Sequence, residues 1–460
     1  MSVRTGCVLW GVTALGLSAL ARADFANALK DYNAGHFEAA RAQFQSLAQL
    51  GDCPSQFNLG AMALKGQGDA KDRGAGVGWL EAALSNGCRE QVGERIPALL
   101  ASLNPEEARA AAGILARYGH DALQAQGILA PDIECHDQLP PRVVETPTPE
   151  YPRISGGQPP EAIVVTALTV GVDGFARDPE VLLSVPDGGF AAAAVEAWLN
   201  SRFAPASRRG VAIESRLQAK LRFVGATGNL ASAPAYQAAL AAAEANDPAS
   251  QYLVGLTANL DASLGVTLAR AGQMLMSAAR AGNPAAQYWV ATQVVAAAPC
   301  HPQANASLWL RHAAEGGSGS AAVVEAEQLL RATPAQAQVV EARALLARAA
   351  ATDGYYARKH AVALLAASPV EAVHDAPLAL KVARELLAGE IQSDPQMFEA
   401  VAAAYAVNKD FREAGAQQRV AITKAQALGW NTATMQRRLS AYRADQLWTG
   451  DLFAAPASDK

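Results

Sequence analysis

One short phrase, repeated along an Ala-rich chain, limits what the chain can fold into more than any other feature. Asp52-Cys53-Pro54-Ser55-Gln56-Phe57 returns as Asp247-Pro248-Ala249-Ser250-Gln251-Tyr252 and as Asn283-Pro284-Ala285-Ala286-Gln287-Tyr288, with 36 positions between Gln251 and Gln287. Asp or Asn accepts hydrogen bonds from the free amides at a helix start, and Pro just inside has no amide to leave unsatisfied. The ends of the units match too: Trp79 precedes Ala82-Ala83 and Gly87, Trp309 precedes Ala313-Ala314 and Gly316, and Ala278-Ala279 precedes Gly282. Small Ala pairs let helices approach, and Gly takes the left-handed conformation that stops one. Two short helices with a period of about 35 cannot bury their apolar faces alone, so the units must stack. The expected fold class is mainly α, an α-solenoid of helix-turn-helix repeats.

Pro149 to Phe223 breaks that pattern. Val164, Thr166, Leu168 and Val170 alternate toward Asp173-Gly174, a dipeptide suited to a hairpin turn. Phe190, Ala194, Ala197 and Trp198 share one face of a helix, and from Ile213 to Phe223 mostly apolar odd positions alternate with polar even ones. This predicts a strand-strand-helix-strand unit whose last strand has one wet face. The expected organisation is a signal peptide over 1–23, helical repeats over 24–138, a Pro-rich linker over 139–150, the small α+β domain over 151–224, a second helical solenoid over 225–450 and a tail over 451–460. Between Glu325 and Ala388 there is helical periodicity without a motif.

The helical phrases resemble the Sel-one-like repeat, a relative of the tetratricopeptide repeat. Leu59-Gly60, Lys65-Gly66-Gln67-Gly68, Trp79 and Gly87 carry the likeness, and Val254-Gly255 keeps the first-helix pair. Phe25 to Gly51, and Tyr405 to Trp430, look like further tetratricopeptide-type pairs. The insert resembles the carboxy-terminal domain of TonB: Tyr151-Pro152 at the entrance, Val181, Leu182 and Ser184 in the second strand, then Arg202-Phe203-Ala204-Pro205-Ala206 and Gly210. Ser201 stands where the family has Trp, and Gly156-Gly157-Gln158-Pro159-Pro160 replaces its Gly-x-x-Gly-x-Val entrance. The resemblance implies that the domain binds proteins by accepting an extended peptide beside its sheet. The partner-binding edge it implies carries Tyr151, Pro152, Arg216, Gln218, Lys220 and Arg222. The basic residues read equally well as protection of an open edge against unwanted pairing. Leu217 and Leu221 face the domain's core on this register, so Asp at either should unfold it, whereas Ala at Arg216 or Arg222 should leave it folded.

With 51% hydrophobic and 18% charged residues the chain is globular, and a formal charge of -5 offers no basic surface for nucleic acid. Arg4, the apolar run Cys7 to Leu20 and Ala21-Arg22-Ala23 form an export leader cleaved before Asp24. The alternative is an inner-membrane anchor, since the uncharged stretch from Thr5 to Ala21 has 17 residues, at the lower edge of what a spanning helix needs. Export permits disulfides among Cys53, Cys88, Cys135 and Cys300, in three possible connectivities. Cys135-His136 and Cys300-His301 lack the close ligand pairing of zinc sites, so no metal or cofactor is expected. The seven histidines are scattered, and Gly316-Gly317-Ser318-Gly319-Ser320 follows a helix and has no Lys, which makes it a flexible turn. No catalytic residue and no small-molecule substrate are predicted. The chain reads as a non-catalytic periplasmic scaffold for protein partners of the cell envelope or outer membrane. The alternative is a TonB-type energy transducer held by its amino-terminal segment.

Overall fold

The computed structural model describes residues 24–89, 93–129, 138–152, 161–186, 189–223, 231, 233–297, 305–331 and 333–453. The expected leader, Cys135, Cys300 and their histidine neighbours, the stretch 156–160 and residues 454–460 of the tail lie outside the described residues. Twenty α-helices and eight strands are present among the described residues.

The amino-terminal block comprises α1 (Phe25–Asn33), α2 (Phe37–Ala48), α3 (Cys53–Lys65), α4 (Arg73–Ser85), α5 (Ile96–Ala101), α6 (Pro105–Tyr118) and α7 (His120–Ala125). The middle of the chain forms β1 (Gln138–Leu139), β2 (Arg142–Glu145), β3 (Ala162–Val170), β4 (Ala176–Val185), α8 (Phe190–Leu199), β5 (Arg202–Ala204), β6 (Ala206–Arg208), β7 (Val211–Ile213) and β8 (Ser215–Phe223). The carboxy-terminal block runs through α9 (Pro234–Glu244), α10 (Pro248–Leu260), α11 (Leu268–Arg280), α12 (Pro284–Ala297), α13 (Ser307–Glu315), α14 (Gly319–Leu329), α15 (Gln336–Ala350), α16 (Tyr355–Ala367), α17 (Ala376–Leu387), α18 (Pro395–Val407), α19 (Phe411–Ala427) and α20 (Ala433–Arg443).

The recurring phrase works at two levels. Its first residue caps a helix: Ser55 N donates to Asp52 Oδ2 at 2.9 Å, Ser250 N to Asp247 Oδ2 at 2.8 Å and Ala286 N to Asn283 Oδ1 at 2.9 Å. Its Gln ties that helix to the one before. Gln56 Nε2 donates to Ala48 O at 3.0 Å and Gln251 Nε2 to Ala243 O at 3.3 Å, each reaching 8 residues back to a carbonyl near the preceding helix end. Each carbonyl also accepts from the turn that follows, Ala48 O from Gly51 N at 3.1 Å and Ala243 O from Asn246 N at 3.1 Å, and the Gln amide takes the remaining lone pair.

Gly60 and Gly255 show why the first helix carries a small residue. A Cβ on Gly60 would lie 2.7 Å from Leu80 Cγ, and one on Gly255 would lie 2.8 Å from Leu275 Cγ. Helices α3 and α4, like α10 and α11, therefore meet almost backbone to backbone. A disulfide between Cys53 and Cys88, with Cα atoms 5.7 Å apart, joins the start of α3 to the residues after α4. The Gly316 to Ser320 stretch is an ordered turn, where Ser318 Oγ caps α14 by accepting from Ala321 N at 3.2 Å.

The two helical blocks, separated in sequence by the strands, meet along a seam. Phe25 N donates to Ala281 O at 3.1 Å, Ser46 Oγ lies 3.2 Å from His312 Nδ1, and Trp309 Nε1 donates to Ile128 O at 2.6 Å. Leu50, Leu123, Ile128 and Leu129 join Ala278, Tyr288 and Trp309 in one core.

The module between the blocks has the expected order. An antiparallel sheet β4-β3-β8 turns at Gly174, whose φ is +76°, and α8 covers one of its faces. Trp198, Phe203, Leu168 and Ala219 pack there with Leu217, while Phe190, Ala194, Val164 and Phe223 pack with Leu221 and Tyr151. The stretch expected as a linker is partly strand: β2 pairs antiparallel with β5, and β1 with β6, while β6 and β7 form a hairpin through Arg209 and Gly210. Pro140, Pro141 and Pro205 interrupt this ladder because proline has no amide to give it.

Replacing both Cys53 and Cys88 by Ser removes a cross-link spanning 35 positions. The unfolding free energy of the amino-terminal block should fall by roughly 4 kcal/mol, measured by denaturant titration of the oxidised protein beside the variant.

Candidate functional site

Charged and polar side chains collect where the module meets the carboxy-terminal helices. Opposite β3, the register places Leu217, Ala219 and Leu221 on the face covered by α8 and Arg216, Gln218, Lys220 and Arg222 on the other. That second face, expected to be wet, is turned toward the repeats. Lys220 Nζ lies 2.8 Å from Asp261 Oδ2 and Arg222 Nη1 3.5 Å from the same atom, at the turn after α10. Trp289 Nε1 of α12 donates to Gln218 Oε1 at 3.2 Å. Arg216 is ion-paired with Glu180 and lies 3.8 Å from Asp178. Apolar neighbours follow the same direction: Ile163 packs with Tyr236, Val254 and Ala258, and Val165 joins the core that runs through α10 to α18.

Two bulges in β4 aim groups into the repeats. Between the pairs Ala167↔Glu180 and Thr169↔Arg177 the bulged strand carries Asp178 and Pro179 opposite Leu168 alone. An extra residue in one strand bends it and re-aims a side chain. Asp178 takes a left-handed backbone, φ +51°, which costs a non-Gly residue about 1 kcal/mol. Its surroundings repay that cost. Asp178 N donates to Gln396 Oε1 at 2.7 Å, and Oδ1 receives bonds from His360 Nε2 at 2.8 Å and Lys359 Nζ at 2.9 Å. The second bulge, at Leu182, presents its carbonyl to Tyr252 OH at 3.4 Å.

The ion pairs extend beyond Asp178. Lys359, fully buried, also donates to Asp394 Oδ2 at 2.9 Å, which accepts from Tyr355 OH at 2.8 Å. His360 Nδ1 faces Glu327 Oε1 at 3.2 Å, and Tyr288 OH donates to Glu180 Oε2 at 3.2 Å. Burial alone would lower the imidazole of His360, but Asp178 and Glu327 push it up to about 9. With a carboxylate at each ring nitrogen, imidazolium donates both bonds. Burial would raise the Asp178 carboxyl, yet His360 and Lys359 hold it well below the usual carboxylate range. The strap after α20 covers this centre: the Phe453 and His360 ring centroids lie 4.8 Å apart at 65° between planes, and Gly450 N donates to Ala367 O at 2.7 Å. Beside it lies a cavity of about 450 Å³ bounded by Glu214, Glu327, Arg331, Tyr356 and His360.

Among the residues predicted for the edge, Tyr151 lies against Phe190 and Phe223 at centroid distances of 5.6 and 5.7 Å, within the module core. Pro152 sits beside Gly189. Arg216, Gln218, Lys220 and Arg222 lie along one strand, but the repeats or β4 engage the side chain of each. On its outer side β8 pairs with no other strand among the described residues. Sequence reasoning missed Asp178, Lys359, His360 and Asp394. The one available signal was the basic run Arg358-Lys359-His360 set directly before the apolar stretch Ala361 to Ala367.

The junction reverses one expectation. Arg216→Ala strips the charged partner from Glu180, which is 3% exposed and keeps only the Tyr288 hydroxyl, so it should cost about 3–5 kcal/mol in denaturant unfolding. Arg222→Ala leaves Lys220 on Asp261 and should cost under about 1 kcal/mol. Because the folded pKa of His360 is raised, its contribution is complete below pH 6.5 and is lost as pH climbs to about 9. Stability followed across that window should fall by roughly 3 kcal/mol, and His360→Gln should flatten the profile.

No family model and no curated protein matches the chain. Among solved structures, it is similar to a protective antigen present in uropathogenic Escherichia coli strains, described as displaying an SLR fold. The two are 14% identical over 91% of this chain and 82% of that one, with a TM-score of 0.31. The helical-repeat fold rests on the chain's own paired helices.

Proposed function

We propose that the chain is a non-catalytic, exported scaffold that binds protein partners in the cell envelope, and that the arm formed by β1, β2, β6 and β7 presents the contact surface. The observation that carries this reading is the distribution of exposed large apolar side chains. Of the ten such residues among the described residues, Leu139, Val143, Val144 and Val211 lie in the arm, with Leu139 68% and Val211 67% exposed. The pairs Leu139↔Ser207, Ser207↔Ala212 and Arg208↔Val211 put Leu139 and Val211 on opposite faces of the arm, so both of its faces offer apolar side chains to a partner. The arm sheet, ordered β1-β6-β7, has open edges at β1 and β7 among the described residues, and an extended chain can add to such an edge. All four residues of β2 are exposed, so main-chain bonds to β5 hold it with little burial.

Export is supported by the leader pattern and by the Cys53–Cys88 disulfide, which persists in oxidising compartments. No helix among the described residues is long and apolar enough to cross a membrane. The junction supports a scaffold role because its charged residues are engaged with one another and fix the module on the repeats.

A photo-crosslinking residue at Val144 or Val211 should capture partner proteins in envelope extract, and one at Val340, exposed on α15, should not. Equal capture from all three positions overturns the assignment to the arm. Amino-terminal sequencing of the exported protein should begin at Asp24, whereas retention of Met1 or Ser2 favours the anchored transducer.

A further inference from the structure

The seam between the two helical blocks contains an open cavity of about 750 Å³, bounded by the end of α4, the start of α7 and the end of α11. Its ionisable lining among the described residues is Arg89, His120 and Arg280. None of these three side chains makes a hydrogen bond or ion pair with a described residue. Arg280 is the inner member. It is half-buried at the last residue of α11, and its Nε is buried without a partner. A half-buried guanidinium whose Nε finds no acceptor among the described residues is costly, and a bound anion relieves that cost. Burial pushes Arg280 below its ordinary value against the pull of the Asp52 carboxyl, though an arginine starts so high that it keeps its charge. Asp52 is committed to capping α3, through Ser55 N at 2.9 Å.

The rim is built. The Cys53–Cys88 bridge ties the main chain next to Arg89 to the start of α3, and His120 N donates to Ser85 Oγ of α4 at 2.9 Å, so the backbone that carries both exposed side chains is anchored. The geometry points to a binding site for a phosphate group, with Arg280 at its base and Arg89 and His120 at its mouth. Guanidinium groups match phosphate oxygens with paired donors, and the cavity is wide enough for a small phosphoester.

The test uses the whole oxidised protein at pH 7 with inorganic phosphate and glycerol 1-phosphate as probes, each balanced by potassium chloride at equal ionic strength. Phosphate should raise the midpoint of thermal unfolding and give a saturable calorimetric isotherm. Arg280→Gln should weaken binding roughly tenfold or more, and Arg89→Gln by less, since it lies at the exposed mouth. Arg280→Lys, which keeps the charge, should retain measurable binding and shows that loss in the Gln variant is not loss of fold. Tighter binding of the ester identifies a phosphorylated metabolite as the source, and preference for inorganic phosphate identifies the free ion. Absence of saturable binding to the wild-type protein, or equal affinity in the wild type and Arg280→Gln, overturns the site.

Discussion

The position of the module depends on one carboxylate in an unusual backbone state. Asp178 is pushed out of β4 by a bulge, and the bonds that reward the distortion come from Lys359 and His360, on a helix almost two hundred residues further along the chain. Neither side is content alone. Without the module, fully buried Lys359 faces Asp394 only, and the imidazolium of His360 keeps only Glu327. Without the helix, Asp178 occupies a left-handed conformation with nothing to hold it there. Removing either side of such a buried pair leaves a charge uncompensated, which costs about 3–5 kcal/mol.

The helical blocks use a simpler logic. Acidic or amide caps start the helices, buried glutamines tie one helix to the previous one, and Gly60 and Gly255 allow the closest approaches. The same three devices occur on both sides of the module, so the repeats form one stack in space although the module divides them in sequence.

Much of the fold was legible because its signals are local. Caps, Ala pairs and closing glycines lie within a few residues of what they control, and the period-2 alternation of β8 placed Leu217 and Leu221 on the module core. The fate of the opposite face was not local. Arg216, Lys220 and Arg222 look solvated in sequence because their partners, Glu180 and Asp261, are distant and not recognisable by spacing. β1 and β2 were hidden by Pro140 and Pro141, which mark a linker in sequence yet only interrupt a ladder in space. The glutamine of the repeated phrase was visible in every copy, while its carbonyl partner becomes apparent only once two helices are packed.

The seam has a consequence for synthesis. Ile128 accepts its hydrogen bond from Trp309, 181 residues later, and Leu50, Leu123 and Leu129 complete their packing with the same late segment. As the chain emerges from its amino terminus, the first block must wait with an uncovered apolar flank while the whole module and the four helices α9 to α12 are made before Trp309 arrives. During that interval it is a half-built surface of the kind that chaperones hold, and the cross-link between Cys53 and Cys88 lies wholly within the part already formed.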